Sequence, residues 1–205
     1  LAGCAPCQPF STYKQRYEED PQWSLVNKFA RLAVEVSPDF VTMENVPALL
    51  NYKRGKVFSD FCKLLEDAGY KISWSIAKCE EFGVPQKRRR LVVIASRKSQ
   101  PLLLQSTHST PITVRQAIGK LPRLEAGDAH AKDRLHASAS LSKLNMKRIK
   151  ASKPGGTWRD WPNSLRAECH RRTTGKTYAG VYGRMSWESP SPTMTTRRPS
   201  ISPRR

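Results

Sequence analysis

The first hundred residues carry apolar positions in two alternating rhythms. Leu25, Phe29, Leu32, Ala33 and Val36 recur at helical spacing, and Pro38 ends that run. Phe40 to Val46 (FVTMENV) reads as a short, mostly apolar strand, followed by Pro47. Phe58, Phe61, Leu64, Leu65 and Ala68 mark a second amphipathic helix, with Gly69 placed to stop it. Tyr70 to Ala77 alternates as a strand does, and Leu91 to Ala95 (LVVIA) reads as a buried strand. Helices between strands predict an α/β sheet with parallel pairing. Ligands of such sheets gather at the carboxyl ends of the strands, which puts Glu44 and Asn45 near a candidate site. Beyond Pro111 the periodicity fades. Thr113 to Leu121 is compatible with a helix, and the remainder reads as loops and short strands.

Pro, Ser, Thr and His collect between Gln100 and Thr113, and a domain boundary is expected there, separating residues 1–107 from 108–205. The 205 residues include 36 Lys and Arg against 17 Asp and Glu, a net charge of +19. From Ser140 to Arg205 the count is 15 basic against 3 acidic. This balance suits a polyanionic partner, most simply nucleic acid, and argues against a neutral-surface metabolic enzyme. No apolar run approaches the roughly 18 residues of a membrane span, so a soluble chain is expected. The opening LAGCAPCQPFS lacks the basic start and apolar stretch of a signal peptide. Five cysteines, an odd number, argue against a secreted disulfide framework and for reduced thiols in the cytoplasm. The chain opens without Met inside its most informative segment, which reads as a fragment.

Three segments carry candidate chemistry. Cys4-Ala5-Pro6-Cys7-Gln8-Pro9-Phe10-Ser11 admits three readings. It can be a redox dithiol, or half of a zinc site, though no second pair completes four ligands. Or Cys7 is a lone nucleophile in a Pro-bounded loop, with Cys4 a buried bystander. Glu44-Asn45-Val46-Pro47 puts a carboxylate at a strand end, where burial would favour the proton-bearing form, useful for donating to a ring nitrogen. Its plain alternative is a surface Glu opening a loop. In Gly83-Val84-Pro85-Gln86-Lys87-Arg88-Arg89-Arg90, alternation points Gln86, Arg88 and Arg90 to one side of an extended segment. Arginines there offer planar donors for a carbonyl oxygen, carboxylate or phosphate. A solvated basic run or a nuclear-import patch is the alternative. Elsewhere, Cys62 and Cys79 read as buried thiols, and Cys169-His170 lacks companions for a metal. His108, His130 and His136 sit in polar loop text. Trp158, Trp161 and Trp187 are expected in a small core rather than stacked on bases.

Taken together, PCQPFS, then ENV, then Q-x-R-x-R resemble the C5-cytosine DNA methyltransferases in order and spacing. GVPQKRRRLVVIASR is similar to that family's eighth motif, and YGRMSWESPSPTMTTR to the end of its target-recognition region. The resemblance covers most of residues 1–198 and implies a partial Rossmann-like methyltransferase sheet followed by a small, irregular target-recognition region. It implies cytosine methylation in duplex DNA from S-adenosylmethionine, without a metal, on a base flipped out of the helix. Cys7 is then the nucleophile, and Glu44 acts on the ring N3 and exocyclic amine. Arg90 holds the cytosine O2, and Arg88 orders the site and favours the thiolate. Asn45 and Gln86 lend support at the substrate. The loop from Gln8 to about Gln22 closes over DNA, with Ser11, Lys14 and Arg16 suited to backbone contact. Arg184 and Thr193 match positions facing DNA near the flipped base. Of the cofactor contacts only backbone near Pro6 is present, since the family's glycine-rich motif, acidic ribose ligand and closing motifs do not align to this chain. The chain alone is therefore expected to be inactive unless a complementary segment or subunit supplies them, in a prokaryotic or phage setting. A catalytically silent DNA-binding remnant is the alternative.

Overall fold

The computed structural model describes residues 1–10, 21–172 and 183–193. Its strands are β1 (Ala2–Gly3), β2 (Phe40–Asn45), β3 (Lys71–Lys78), β4 (Gln86–Lys87), β5 (Arg89–Ser96) and β6 (Ser191–Pro192). Its α-helices are α1 (Leu25–Val36), α2 (Lys56–Asp67), α3 (Val114–Ile118), α4 (Lys143–Ala151) and α5 (Glu168–Arg171). The chain divides into two units: Leu1–Phe82 with Arg88–Thr107, and Gly83–Lys87 with His108–Arg205.

The first unit is α/β. Its sheet has the order β1-β2-β5-β3. Here the structure corrects the expected all-parallel pairing. β1 and β2 are parallel, but β5 runs antiparallel to both β2 and β3. The physical reason is the connection. β2 reaches β3 through α2, and the two strands point the same way, as a helical crossover requires. β3 reaches β5 without an α-helix, through a 3-10 turn at Cys79–Phe82 and the short β4, so the chain reverses. β5 then lies between the two strands that the crossover joins.

α1 and α2 cover one face of this sheet. Val41, Met43, Leu91, Val93 and Ala95 point into a core shared with Val26, Ala30, Val57, Phe61 and Leu65. Phe61 is fully buried between Phe29 and Phe58, with ring centroids 6.4 and 6.3 Å away. Gly3 is required by α1: a Cβ there would meet the Phe29 ring at 2.5 Å. α1 stops at Ser37, whose left-handed backbone (φ 53°) returns its N–H to the Ala33 carbonyl.

Among its described residues the second unit has little regular structure. Thr113 caps α3 in a reciprocal box with Gln116. The N–H groups of Val114 and Arg115 bond the carbonyls of Ser189 and Trp187, and β4 pairs parallel with β6. α4 was not expected from the sequence. Ser142 caps it, but none of its residues is buried, so it leaves no apolar stripe to read. Trp158 and Trp161 are buried, as expected. The His170 ring stacks on Trp158 at 4.4 Å, and Trp161 donates Nε1–H to Ser152 Oγ at 2.8 Å. Cys62 and Cys79 are half-buried rather than buried, and burial, then Glu66, pushes the Cys62 thiol up to about 11. His130 and His136 are also half-buried, stacked on each other at 5.6 Å.

Two outcomes are expected. Phe61→Ala should lower stability by about 3–5 kcal/mol in urea unfolding, because it empties the centre of an aromatic row. Burial, then Arg148 and Arg166, lower the His170 pKa from its ordinary 6.5. A depressed histidine stabilises the fold fully above that ordinary value, and the contribution is lost as pH falls below it. Thermal melts from pH 7 to pH 5 should therefore fall more steeply for the unaltered chain than for His170→Asn.

Candidate active site

Strand register assembles the site in the first unit. β1 and β2 pair Ala2 with Thr42 and Gly3 with Met43. One step further sets Cys4 beside Glu44 and Ala5 beside Asn45. Cys4 Sγ donates to Glu44 Oε2 at 3.3 Å. Asn45, 1% exposed, donates Nδ2–H to the Ala5 carbonyl at 3.1 Å and accepts the Val46 N–H at 2.8 Å. That one amide ties the cysteine loop to the end of β2. On the other side of β2, β5 places Val92 opposite Glu44, so the strand enters the sheet beside the carboxylate. Arg90 Nε lies 2.5 Å from Glu44 Oε1, and Arg88 Nη2 lies 3.9 Å from the same oxygen.

Cys7 follows the tied segment and is exposed. Its carbonyl accepts the Phe10 N–H at 3.1 Å, opening a 3-10 turn at Gln8–Phe10. Phe10 is fully buried and meets Tyr52 edge-on at 5.0 Å, which anchors the turn. Pro6 is half-buried and Gln8 exposed. Cys7 is near enough to Cys4 for its charge to be felt there.

Two expectations about this cluster are corrected. Cys4 is not a buried bystander: the residue is exposed and its thiol is bonded to Glu44. Cross-strand register, which the local sequence does not display, brings them together. Nor is Glu44 starved of solvent. Its side chain is 39% exposed and paired with Arg90. Arg88 and Arg90 meet at one carboxylate, whereas Gln86 lies in β4, beside Ser191 of β6. Thr193 bonds the Lys87 carbonyl at 2.9 Å. Arg184, expected to face DNA, is 5% exposed, and its Nη1 donates to the Ser152 carbonyl at 2.9 Å. Its guanidinium is spent on the packing of its own unit. Ser11, Lys14 and Arg16 lie outside the described residues.

The family pattern described as C-5 cytosine-specific DNA methylase matches residues 1–203. The chain belongs to that family. It is 43% identical over 199 residues to the Type II methylase M.HgiDII of Herpetosiphon aurantiacus, covering 96% of this chain and 56% of that one. It is 31% identical to the Type II methyltransferase M.Eco47II of Escherichia coli, over 95% of this chain and 48% of the relative. The chain thus spans about half the length of the curated relatives it matches. A solved prophage-encoded protein of E. coli, described as a DNA modification methyltransferase, shares the fold with a TM-score of 0.65 at 20% identity. That likeness covers 98% of this chain and 63% of the other.

The family implies S-adenosylmethionine as methyl donor. The described residues of this chain do not make a nucleoside site. Among them, the groups at the carboxyl ends of β1 and β2 are the thiols, Glu44, Asn45 and the arginines of β5, with no further acid to hold a ribose. A groove lined by Arg31, Val34, Glu35, Leu64, Asp67 and Ala68 lies at the carboxyl ends of α1 and α2. Those ends lead into the starts of β2 and β3, away from Glu44. Among the described residues no group of His, Cys, Asp and Glu is arranged to hold a metal, and no helix is long and apolar enough to cross a membrane.

Asn45→Ala should cost about 1–3 kcal/mol, because it leaves a buried carbonyl and N–H without their partner. Thermal unfolding measures the loss, and faster hydrogen exchange at the Val46 amide should accompany it.

Proposed function

We propose that this chain carries the base-activating part of a DNA (cytosine-5) methyltransferase. Cytosine C5 is a poor nucleophile. Addition of the Cys7 thiolate to C6 turns the ring into an enamine whose C5 can attack an electrophilic methyl group. Glu44 accepts from the exocyclic amine and, in its proton-bearing form, donates to or protonates N3, which stabilises the ring as sulfur adds. Arg90 holds the cytosine O2, and Arg88 orders the carboxylate. Asn45 fixes the loop that leads to Cys7, and Gln86 and Thr193 are assigned to substrate support on the family resemblance alone. Loss of the C5 proton and departure of Cys7 would restore the ring. In a stacked duplex N3 is paired and the ring faces that the sulfur and the methyl group must approach are covered, so the base is flipped out.

One observation carries this reading: a carboxylate held by Arg90, with Arg88 nearby at 3.9 Å, at the same strand end that holds the cysteine loop. The basic second unit, rich in Arg and Lys from Ser140 onward, suits the phosphate backbone of duplex DNA and is read as the target-recognition region. The bacterial sources of the relatives support a prokaryotic or phage setting. S-adenosylmethionine supplies the methyl group in the family, but the described residues offer it only backbone near Pro6. The purified chain is therefore expected to activate the base without methylating it.

A random-sequence duplex pool carrying 5-azacytosine tests the proposal, because that ring takes up a thiol without needing a methyl group. The expected result is a covalent adduct mapped to Cys7 by mass spectrometry. Cys7→Ser should abolish it, and Glu44→Gln should slow it by about 100-fold or more. DNA binding with no adduct would identify a catalytically silent remnant instead. Label passing from S-adenosylmethionine to the duplex would overturn the expected lack of methylation.

A further inference from the structure

We infer that Cys4 is a positioning residue for Glu44, its thiol holding Oε2 while Arg90 holds Oε1. The inference deepens the base-activation reading and rests on it for its catalytic meaning. A carboxylate offers about four lone-pair directions over its two oxygens. Arg90 takes one on Oε1 from the β5 side, with Arg88 further out at 3.9 Å. Cys4 takes one on Oε2 from the β1 side at 3.3 Å. The carboxylate is thus gripped from both neighbouring strands, and each oxygen keeps a direction for the edge of a base. Without Cys4, the grip is one-sided, and the group can turn about its last bond while Arg90 follows it.

The role requires that Cys4 keep its proton, because only the thiol form donates. Its surroundings favour that form. Although the residue as a whole is exposed, desolvation about the sulfur, then the hydrogen bond and the charge of Glu44, raise its pKa above the ordinary value of 9.0. The charge of Cys7 adds to this, and Arg90 alone opposes it. Glu44 therefore gives the two thiols of the C-x-x-C segment different duties. The one bonded to the carboxylate stays a donor, and the one beyond the Asn45 tie is left to attack.

Two measurements on the 205-residue chain decide the matter. The first is alkylation by iodoacetamide at pH 8, resolved by peptide mass spectrometry. Glu44→Gln should accelerate reaction at Cys4 by about threefold, because it removes the negative charge that holds the proton on sulfur. An unchanged Cys4 rate overturns the contact. The second is the rate of adduct formation with the 5-azacytosine duplex pool. Cys4→Ala should slow addition by roughly three- to tenfold at unchanged DNA affinity, the size expected for a weak donor on a charged acceptor. Cys4→Ser, which keeps a donor, should recover a rate within about twofold of the original. Equal rates for Cys4→Ala and the unaltered chain, or no recovery in Cys4→Ser, would refute the positioning role. If the unaltered chain forms no adduct, the Cys7 reading fails, and the alkylation result still decides whether Glu44 governs the Cys4 thiol.

Discussion

The candidate site depends on the direction in which β5 enters the sheet. β5 is eight residues long, and its arginines are at its start. Strands rise about 3.3 Å per residue, so a parallel β5 would carry Arg90 roughly 20 Å from the end of β2. Running antiparallel, it begins where β2 finishes and delivers Arg88 and Arg90 to Glu44. Register matters as much as direction. Leu91, Val93 and Ala95 are buried beneath α1 and α2, which commits Arg90, Val92 and Ile94 to the other face. A slip of one residue would turn the apolar set outward and send Arg90 toward the helices. The burial of three side chains that touch no substrate therefore fixes where the guanidinium group points.

The polar contacts at this edge divide by burial into two kinds. Asn45 is sealed from solvent and joins two segments of backbone, so its amide contributes to stability. The Arg90–Glu44 pair is 22% and 39% exposed. A pair this open contributes about 0–1 kcal/mol, since water competes for both partners. Its short geometry does not make it a stability device. What it provides is orientation of a carboxylate that remains reachable, which a candidate catalytic group needs and a purely structural one does not.

Periodicity in the sequence located the elements well, their buried sides unevenly and their direction poorly. α2 buries Phe58, Phe61 and Leu65 as its spacing implies, whereas α1 buries Val26, Ala30 and Ala33 and leaves Leu32 and Val36 exposed, and β3 buries none of its residues. Whether neighbouring strands run parallel depends on what joins them, and nothing in the extended reading of Gly83 to Arg90 marks the reversal there. The Cys4–Glu44 contact was hidden for a related reason. It spans 40 residues and exists only through the pairing of β1 with β2. Extending a parallel register from the PCQ segment onto the ENV strand would have exposed it. α4 and the burial of Arg184 left still less trace. α4 buries none of its residues, and an arginine in a basic stretch gives no sign that a carbonyl at Ser152 awaits it.

The second unit raises the question of how so basic a segment sustains a core at all. Its answer is that several arginines lie over aromatic faces. Arg159 and Arg166 sit over Trp158 at 5.8 and 6.0 Å, Arg148 over Trp161 at 5.8 Å, and Arg115 over Trp187 at 5.4 Å. A guanidinium is weakly hydrated and planar, so it can lie on a ring without giving up its charge. Arg148 and Arg166 also bond the carbonyls of Leu165 and Trp161, which holds them in place. Trp158 and Trp161 thus serve twice, filling the interior with His170 and supporting cations around it. Ring faces and backbone carbonyls offset part of the mutual repulsion among these cations, and Arg115 is also paired with Glu188. Charge compensated in that way is not neutralised, and it stays available to a polyanion. A unit balanced with carboxylates would repel itself less and present less positive charge to a polyanion.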